Sequence, residues 1–162
     1  MPELKVFATG GTIDKIYFDA SSEYEVGEPQ IEVVFREARV SFDYEVTSLM
    51  RKDSLEINDD DREQIRAAVE ACDHPHILIT HGTDGMVATA AALQGIPAKR
   101  IVLTGALQPA AFYQTDAIFN VGCAIGAVQS QPPGVYIAMN GQVFPAGKVV
   151  KNLEANRFEA LP

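Results

Sequence analysis

Cysteine is scarce in this chain of 162 residues, with only Cys72 and Cys123 present. They lie far apart, in no spacing that would hold a metal. Both fall in apolar, helix-like stretches, so two buried thiols are expected rather than a disulfide, which fits the cytoplasm. Basic residues are few as well. Thirteen Lys and Arg stand against 22 Asp and Glu, for a formal net charge of −9, which argues against a nucleic-acid or anionic-membrane surface. No apolar run approaches the roughly 18 residues of a membrane span. Met1-Pro2-Glu3-Leu4-Lys5 lacks the basic and long apolar regions of a signal peptide. No repeat, low-complexity tract or composition shift marks a linker. The patterns G-x-G-x-x-G and G-x-x-x-x-G-K-[ST] do not occur, which leaves nucleotide binding little support. The absence of a G-x-S-x-G elbow disfavours the hydrolases built on it.

What the chain does have is ordinary globular material: 47% hydrophobic and 22% charged residues, with 12 glycines and 9 prolines. At this length one compact domain over residues 1–162 is expected, burying roughly 70% of the unfolded surface. Strand-like and helix-like segments alternate. Leu4 to Ala8 reads as a strand ending in Thr9-Gly10-Gly11-Thr12. Residues 13–28, with Asp14, Lys15, Ser21, Ser22, Glu23 and Gly27, read as a loop or hairpin. Pro29 can open a helix with Ile31, Val34, Phe35 and Ala38 at helical spacing. Phe42, Tyr44 and Val46 alternate as in a half-buried strand. Asn58 can cap a helix whose first turn, Asp59-Asp60-Asp61, suits the helix dipole, and Ile65, Ala68, Val69 and Cys72 form its buried stripe.

His76 to Thr80 is the next strand, followed by His81-Gly82-Thr83-Asp84-Gly85. A helix from Met86 to Leu93 is stopped by Gly95 and Pro97. Arg100 to Leu103 is a strand closed by Thr104-Gly105. Asp116 can cap a helix to about Gln129, which Pro132-Pro133-Gly134 breaks, and Val135 to Met139 is a further strand. This alternation predicts an α/β fold: a three-layer, mostly parallel sheet with helices on both faces. The ligand crevice then lies at the carboxyl ends of the strands, where three strands end in threonine and glycine.

Gly10-Gly11-Thr12 is either a tight turn or an exposed hydroxyl nucleophile with backbone donors around it. Asp84 is either an N-cap or a working carboxylate. His81 could be a base but reads better as a packed, hydrogen-bonded residue, and His74 and His76 look structural. Spacing and periodicity thus give a threonine-lined crevice without a reaction.

Two strings add more. Ala8-Thr9-Gly10-Gly11-Thr12-Ile13 and Ile79-Thr80-His81-Gly82-Thr83-Asp84-Gly85-Met86 resemble the first and second active-site motifs of bacterial-type L-asparaginases. Tyr24-Glu25-Val26-Gly27 is similar to the tyrosine segment of that family's loop, and Asp53-Ser54-Leu55-Glu56-Ile57 to its serine segment. Val102 to Pro109, with Asp116 and Phe119-Asn120, resembles the next strand and helix. Met139-Asn140-Gly141-Gln142-Val143-Phe144 leads to Lys151, at the place of the family's lysine. The similarity runs from residue 4 to 158.

The resemblance implies a threonine amidohydrolase with the fold of the asparaginase N-terminal domain. It would hydrolyse the side-chain amide of L-asparagine to L-aspartate and ammonia through an acyl-enzyme on Thr12, with glutaminase as a possible side activity. Tyr24, or Lys151 acting through Thr83, would activate Thr12. A free tyrosine has a pKa of about 10 and needs a shared proton to serve as base. Asp84 would orient Lys151, which polarises Thr83 or a water. Backbone N–H groups at Thr12 and Thr83 would face the oxyanion. Gly11, Ser54, Gly82, Thr83 and Asp84 would bind substrate, Ser54 and Asp84 holding its α-carboxylate and α-amino ends.

No cofactor or metal is implied. A small-molecule substrate and a homo-oligomer, dimer or tetramer, are the expected partners. Structural alternatives stand beside each residue: Tyr24 as a surface aromatic, Ser54 as a turn residue, Lys151 as a solvated cation near Lys148.

Three departures from the family pattern stand out. Leu55 replaces a residue that is often polar, and Asp14 sits where a small residue is common. The third is length: on this reading residues 1–162 would form the family's catalytic domain alone, without the usual second, smaller domain, whose copy in a neighbour completes the amino-group site in the family. The tail from Leu153 to Leu161 lacks a helical stripe, which suits a segment packed on another subunit. Other functions compatible with the residues are an ammonia-supplying amidotransferase component, a non-catalytic amino-acid-binding or sensor domain, or hydrolysis of another small amide.

Overall fold

The computed structural model describes residues 3–17 and 24–162. Ser21, Ser22 and Glu23 lie outside the described residues. A six-stranded sheet in the order β4-β1-β5-β6-β7-β8 forms the middle layer. Its strands are β1 (Leu4–Gly10), β4 (Tyr44–Lys52), β5 (His76–Thr80), β6 (Arg100–Thr104), β7 (Gly134–Met139) and β8 (Gln142–Pro145). The first five pair in parallel and β8 closes the edge antiparallel to β7. Two hairpins stand off this sheet: β2 (Lys15–Tyr17) with β3 (Tyr24–Val26), and β9 (Val149–Asn152) with β10 (Arg157–Ala160).

Parity along the strands builds the layers. Ile77, Ile79, Ile101, Leu103, Val135 and Ile137 face Ile65 and Val69 of α2 (Asp59–Ala71), and Met86, Ala90 and Leu93 of α3 and its C-terminus (α3, Met86–Ala92). Leu78, Val102, Tyr136 and Ala138 face the other way, against α1 (Ile31–Ala38) and α4 (Ala117–Ser130). Each central strand is apolar on both faces because each face is covered by helices. The expected three-layer arrangement is the one observed.

Local signals account for most boundaries. Asn58 caps α2 through a capping box with Asp61, which satisfies two otherwise orphaned N–H groups. Asp116 does not cap α4 as the sequence suggests. Its backbone is already helical, and its carboxylate accepts instead from the Leu107 and Gln108 N–H groups and from Asn120 Nδ2. The Thr115 hydroxyl takes the Ala117 N–H in its place. The tail, expected to suit packing on another subunit, packs within this chain. Residues 157–160 pair with β9, and Phe158 is 1% exposed in the core beneath α2 and α3. The chain thereby folds its own tail onto its own sheet and carries Lys151 with it.

Connectivity fixes where a crevice must open. From β1 the chain runs to β4 on one side, then crosses to β5 on the other, so strand order reverses at β1. The turns leaving β1, β4 and β5 diverge at that reversal, at the carboxyl ends of these strands. Thr12, Ser54 and the Thr83-Asp84 pair are on those turns.

Candidate active site

Thr12 opens a 3-10 turn, Thr12–Asp14, directly after β1. Two contacts that only glycine allows set this turn against its neighbours. Gly11 has φ +84°, and a Cβ there would lie 2.5 Å from Gly82 Cα and N. At Gly82 a Cβ would lie 2.3 Å from Ser54 Cβ. The three turns are therefore packed backbone to backbone, with Gly82 between Gly11 and Ser54. Ser54, itself buried, accepts the Asp84 N–H on its Oγ at 3.2 Å.

Lys151 reaches into this cluster from β9. Its Nζ donates to Thr83 Oγ1 at 2.9 Å and to Asp84 Oδ1 at 2.7 Å. The lysine side chain is 12% exposed and the aspartate 38%, so the ion pair sits at the mouth of the crevice with the ammonium on the inside. A lysine so held donates to the Thr83 oxygen and leaves that hydroxyl's proton free for a further acceptor. Thr83, Asp84, Lys151 and Ser54 are thus joined by direct hydrogen bonds, and Gly11 brings Thr12 against the same turn.

Tyr24 is placed differently. It is on β3, with its ring 5.4 Å from Tyr17 and 4.9 Å from Phe112, the latter edge-on. It lines a groove of about 830 Å³ with Gln108, Ala111, Phe112, Tyr113 and Gln114. It also borders a smaller one of about 350 Å³ with Lys15, Arg51 and Asp53. The loop after β6 that supplies Phe112 is stitched to the Thr12 turn, because Ala110 N–H donates to the Ile13 carbonyl at 3.1 Å. Gln108 falls in the segment that resembles the family's next strand, whereas nothing in the sequence singled out Phe112. An aromatic in an irregular loop carries no periodicity to find it by.

His81 is the packed residue its neighbours suggest. Its Nδ1–H donates to the Gly82 carbonyl at 2.7 Å, and its Nε2 lies 2.8 Å from the Thr89 hydroxyl, which donates to it. Burial pushes its pKa down to about 4. With both nitrogens engaged it steadies the Gly82 turn.

Asp14 has the opposite perturbation. It is 1% exposed, and burial pushes its carboxyl up to about 7 against the opposing pull of the Gln30 N–H and the Arg51 charge. A carboxyl whose pKa rises on folding contributes stability that is complete below the unfolded value of 3.8 and is lost as pH climbs through about 7. Asp14→Asn keeps an acceptor and removes the buried charge. Relative to the parent it should be near-neutral at or below about pH 4 and more stable by a few kcal/mol at pH 8. Urea unfolding at the two pH values measures the difference, and parallel curves for the two proteins would refute it.

Together these features place a hydroxyl-rich, lysine-bearing crevice at the strand-order reversal of a mostly parallel three-layer α/β sheet. The chain matches the asparaginase N-terminal family over residues 3–161, and it belongs to that family. It is 31% identical over 175 residues to an L-asparaginase of Thermococcus kodakarensis, an alignment that covers 98% of this chain and 51% of that protein. The structure of the thermostable L-asparaginase from Thermococcus kodakarensis superposes with a TM-score of 0.87 at 26% identity, again over 98% of this chain and 51% of the other. Over 52% of this chain it is also 35% identical to a glutamyl-tRNA(Gln) amidotransferase component of Methanococcus vannielii, where the match spans 22% of that protein. The chain therefore spans about half the length of the asparaginase relative it matches. Among the described residues no helix is long and apolar enough to cross a membrane.

Proposed function

We propose that this protein is an L-asparaginase acting through Thr12. The observation that carries the reading is the Lys151–Thr83–Asp84 cluster, bonded at 2.9 and 2.7 Å, on the turn that Gly11 packs against. In the first half-reaction the Thr12 Oγ–carbon bond forms and the carbon–nitrogen bond of the side-chain amide breaks. Ammonia leaves with the proton that Thr12 gives up. In the second, water adds to the Thr12 ester, and aspartate departs as the threonine hydroxyl is restored.

Lys151 polarises Thr83, and Asp84 holds the ammonium in place. In this reading Tyr24, on the hairpin that follows the Thr12 turn, shares the nucleophile's proton, and backbone N–H groups of Thr12 and Thr83 face the developing oxyanion. Ser54 and Asp84, linked by a hydrogen bond, receive the α-carboxylate and α-amino groups. Glutamine is one methylene longer, a difference worth about 1–3 kcal/mol in a pocket, so a glutaminase side activity is part of the reading.

Leu55, beside Ser54, is 82% exposed. An apolar side chain left open next to the substrate's charged ends suits a homo-oligomer in which a second copy covers it. The free thiols Cys72 and Cys123 suit the cytoplasm.

Ammonia release from L-asparagine and L-glutamine by the purified chain tests the proposal, together with mass-spectrometric trapping of an aspartyl ester on the peptide that contains Thr12. Release with the ester on Thr12 is expected. No release on either amide would overturn the activity, and an ester elsewhere would overturn the nucleophile. The likeness to the amidotransferase component favours a second reading, in which the same hydrolysis supplies ammonia to a partner enzyme. Full turnover by the isolated chain decides against it.

A further inference from the structure

Asp14 lies two residues beyond Thr12 and takes no part in the chemistry above, yet three of its atoms are committed. Its Oδ1 accepts the Gln30 N–H at 2.9 Å, its carbonyl accepts the Gly27 N–H at 2.9 Å, and its own N–H donates to the Gly11 carbonyl at 3.1 Å. Gly11 precedes the nucleophile. Gly27 follows β3, the strand of Tyr24, and Gln30 is the residue from which α1 starts.

Helix α1 has no cap from its own N-cap side chain. A Glu or Gln at position 33, the third residue of the helix, would satisfy that N–H on the surface in a capping box, with no carboxylate taken out of water. Here the acceptor comes instead from a fully buried residue on the nucleophile's turn, which ties helix and turn together across the base of the hairpin. Two ion pairs flank the same base: Lys15 to Asp53 at 3.2 Å and Arg51 to Glu28 at 2.7 Å. Both join the hairpin's ends to the end of β4.

On the asparaginase reading, we propose that Asp14 is a positioning residue, which holds the root of the Tyr24 hairpin and the start of α1 in fixed register with the Thr12 turn. Hairpin pairing runs Lys15 to Val26, Ile16 to Glu25 and Tyr17 to Tyr24. Its first rung is therefore one residue from Asp14, and the placement of Tyr24 depends on how that rung is anchored. Asp14 acts through Tyr24 and Thr12 rather than on the substrate.

Three variants test this. Asp14→Ala deletes the acceptor. Gln30→Pro deletes the donor, and the φ of −83° at Gln30 lies close to the value proline imposes. Asp14→Asn keeps the acceptor. Asp14→Ala and Gln30→Pro should each raise KM for L-asparagine about tenfold, because only the fraction of molecules with the hairpin in place is competent to bind. Loss of folded protein would lower the apparent kcat and leave KM alone. Asp14→Asn should restore KM to within about threefold of the parent, since the hairpin again populates its bound position.

Amide exchange in residues 15–17 and 24–27 should accelerate in the first two variants while β5 and β6 stay protected. An unchanged KM in both, or exchange that rises uniformly across the sheet, would overturn the proposal. Should Asp14→Ala fail to fold, Gln30→Pro decides alone. If the parent releases no ammonia, the activity fails but the exchange arm still reads the grip: unmoved exchange overturns the positioning role and local loosening supports it.

Discussion

Thr12→Ala should lower ammonia release from L-asparagine by at least about 10⁴-fold while the protein stays folded. The size follows from what is removed. Without the hydroxyl no ester forms, and hydrolysis falls back on direct attack by water. The Thr83 and Asp84 contacts would still bind and orient the amide, so a residual rate above solution is expected rather than none. The fold should barely register the change. Thr12 is half-buried at the start of a three-residue turn, and its position is set by the glycine contact behind it rather than by its own side chain.

Thr12→Ser separates chemistry from shape. It keeps the oxygen and loses a methyl that restricts the side-chain rotamer, so activity should fall by about tenfold or less. Circular dichroism and ammonia assay on the two variants give the comparison. Release that survives in the alanine variant at more than a few per cent of the parent removes Thr12 from the nucleophile's role.

The turn that carries Thr12 was readable because paired glycines at a strand's end mark a tight exit from the sheet. The α2 cap was readable for a related reason: Asn58 and Asp61 act within one turn of chain, and local geometry is what residue order reports best. The double cover of the sheet was readable too, since Ile77-Leu78-Ile79 and Ile101-Val102-Leu103 are apolar at every position, as doubly covered strands must be.

Three features were not. Asp116 has the look of a cap, yet its partners Leu107 and Gln108 lie nine and eight residues back along the chain. The β9–β10 hairpin has four-residue strands with weak alternation, and what secures it is Phe158, buried in a core assembled from distant segments. Asp14 was visible as an oddity beside the nucleophile. Its burial and its grip on Gln30 exist only once α1 has packed. In each case a contact between segments overrides the local signal.

Lys151→Met should lower kcat by about 10²–10³-fold, the range for losing a positioned acid–base group. Methionine preserves much of the aliphatic stem, so Val149 and Phe158 should keep the hairpin seated. The Nζ contacts to Thr83 and Asp84 vanish. Stability should change by no more than about 1 kcal/mol, because the Asp84 carboxylate left behind is partly in water and can be solvated.

The pairwise test is sharper than the single variant. If Lys151, Asp84 and Thr83 act as one unit, Asp84→Asn alone should cost much of the same activity. The Lys151→Met/Asp84→Asn double variant should then fall little below the worse single, since a unit once broken has little more to lose. Asp84 also faces the substrate's amino group in this reading, so its variant should raise KM where Lys151→Met chiefly lowers kcat. Steady-state kinetics on the three proteins distinguish the cases. Fully multiplicative losses would mean that the 2.7 Å ion pair is a neighbourly contact, and that lysine and aspartate serve the reaction separately.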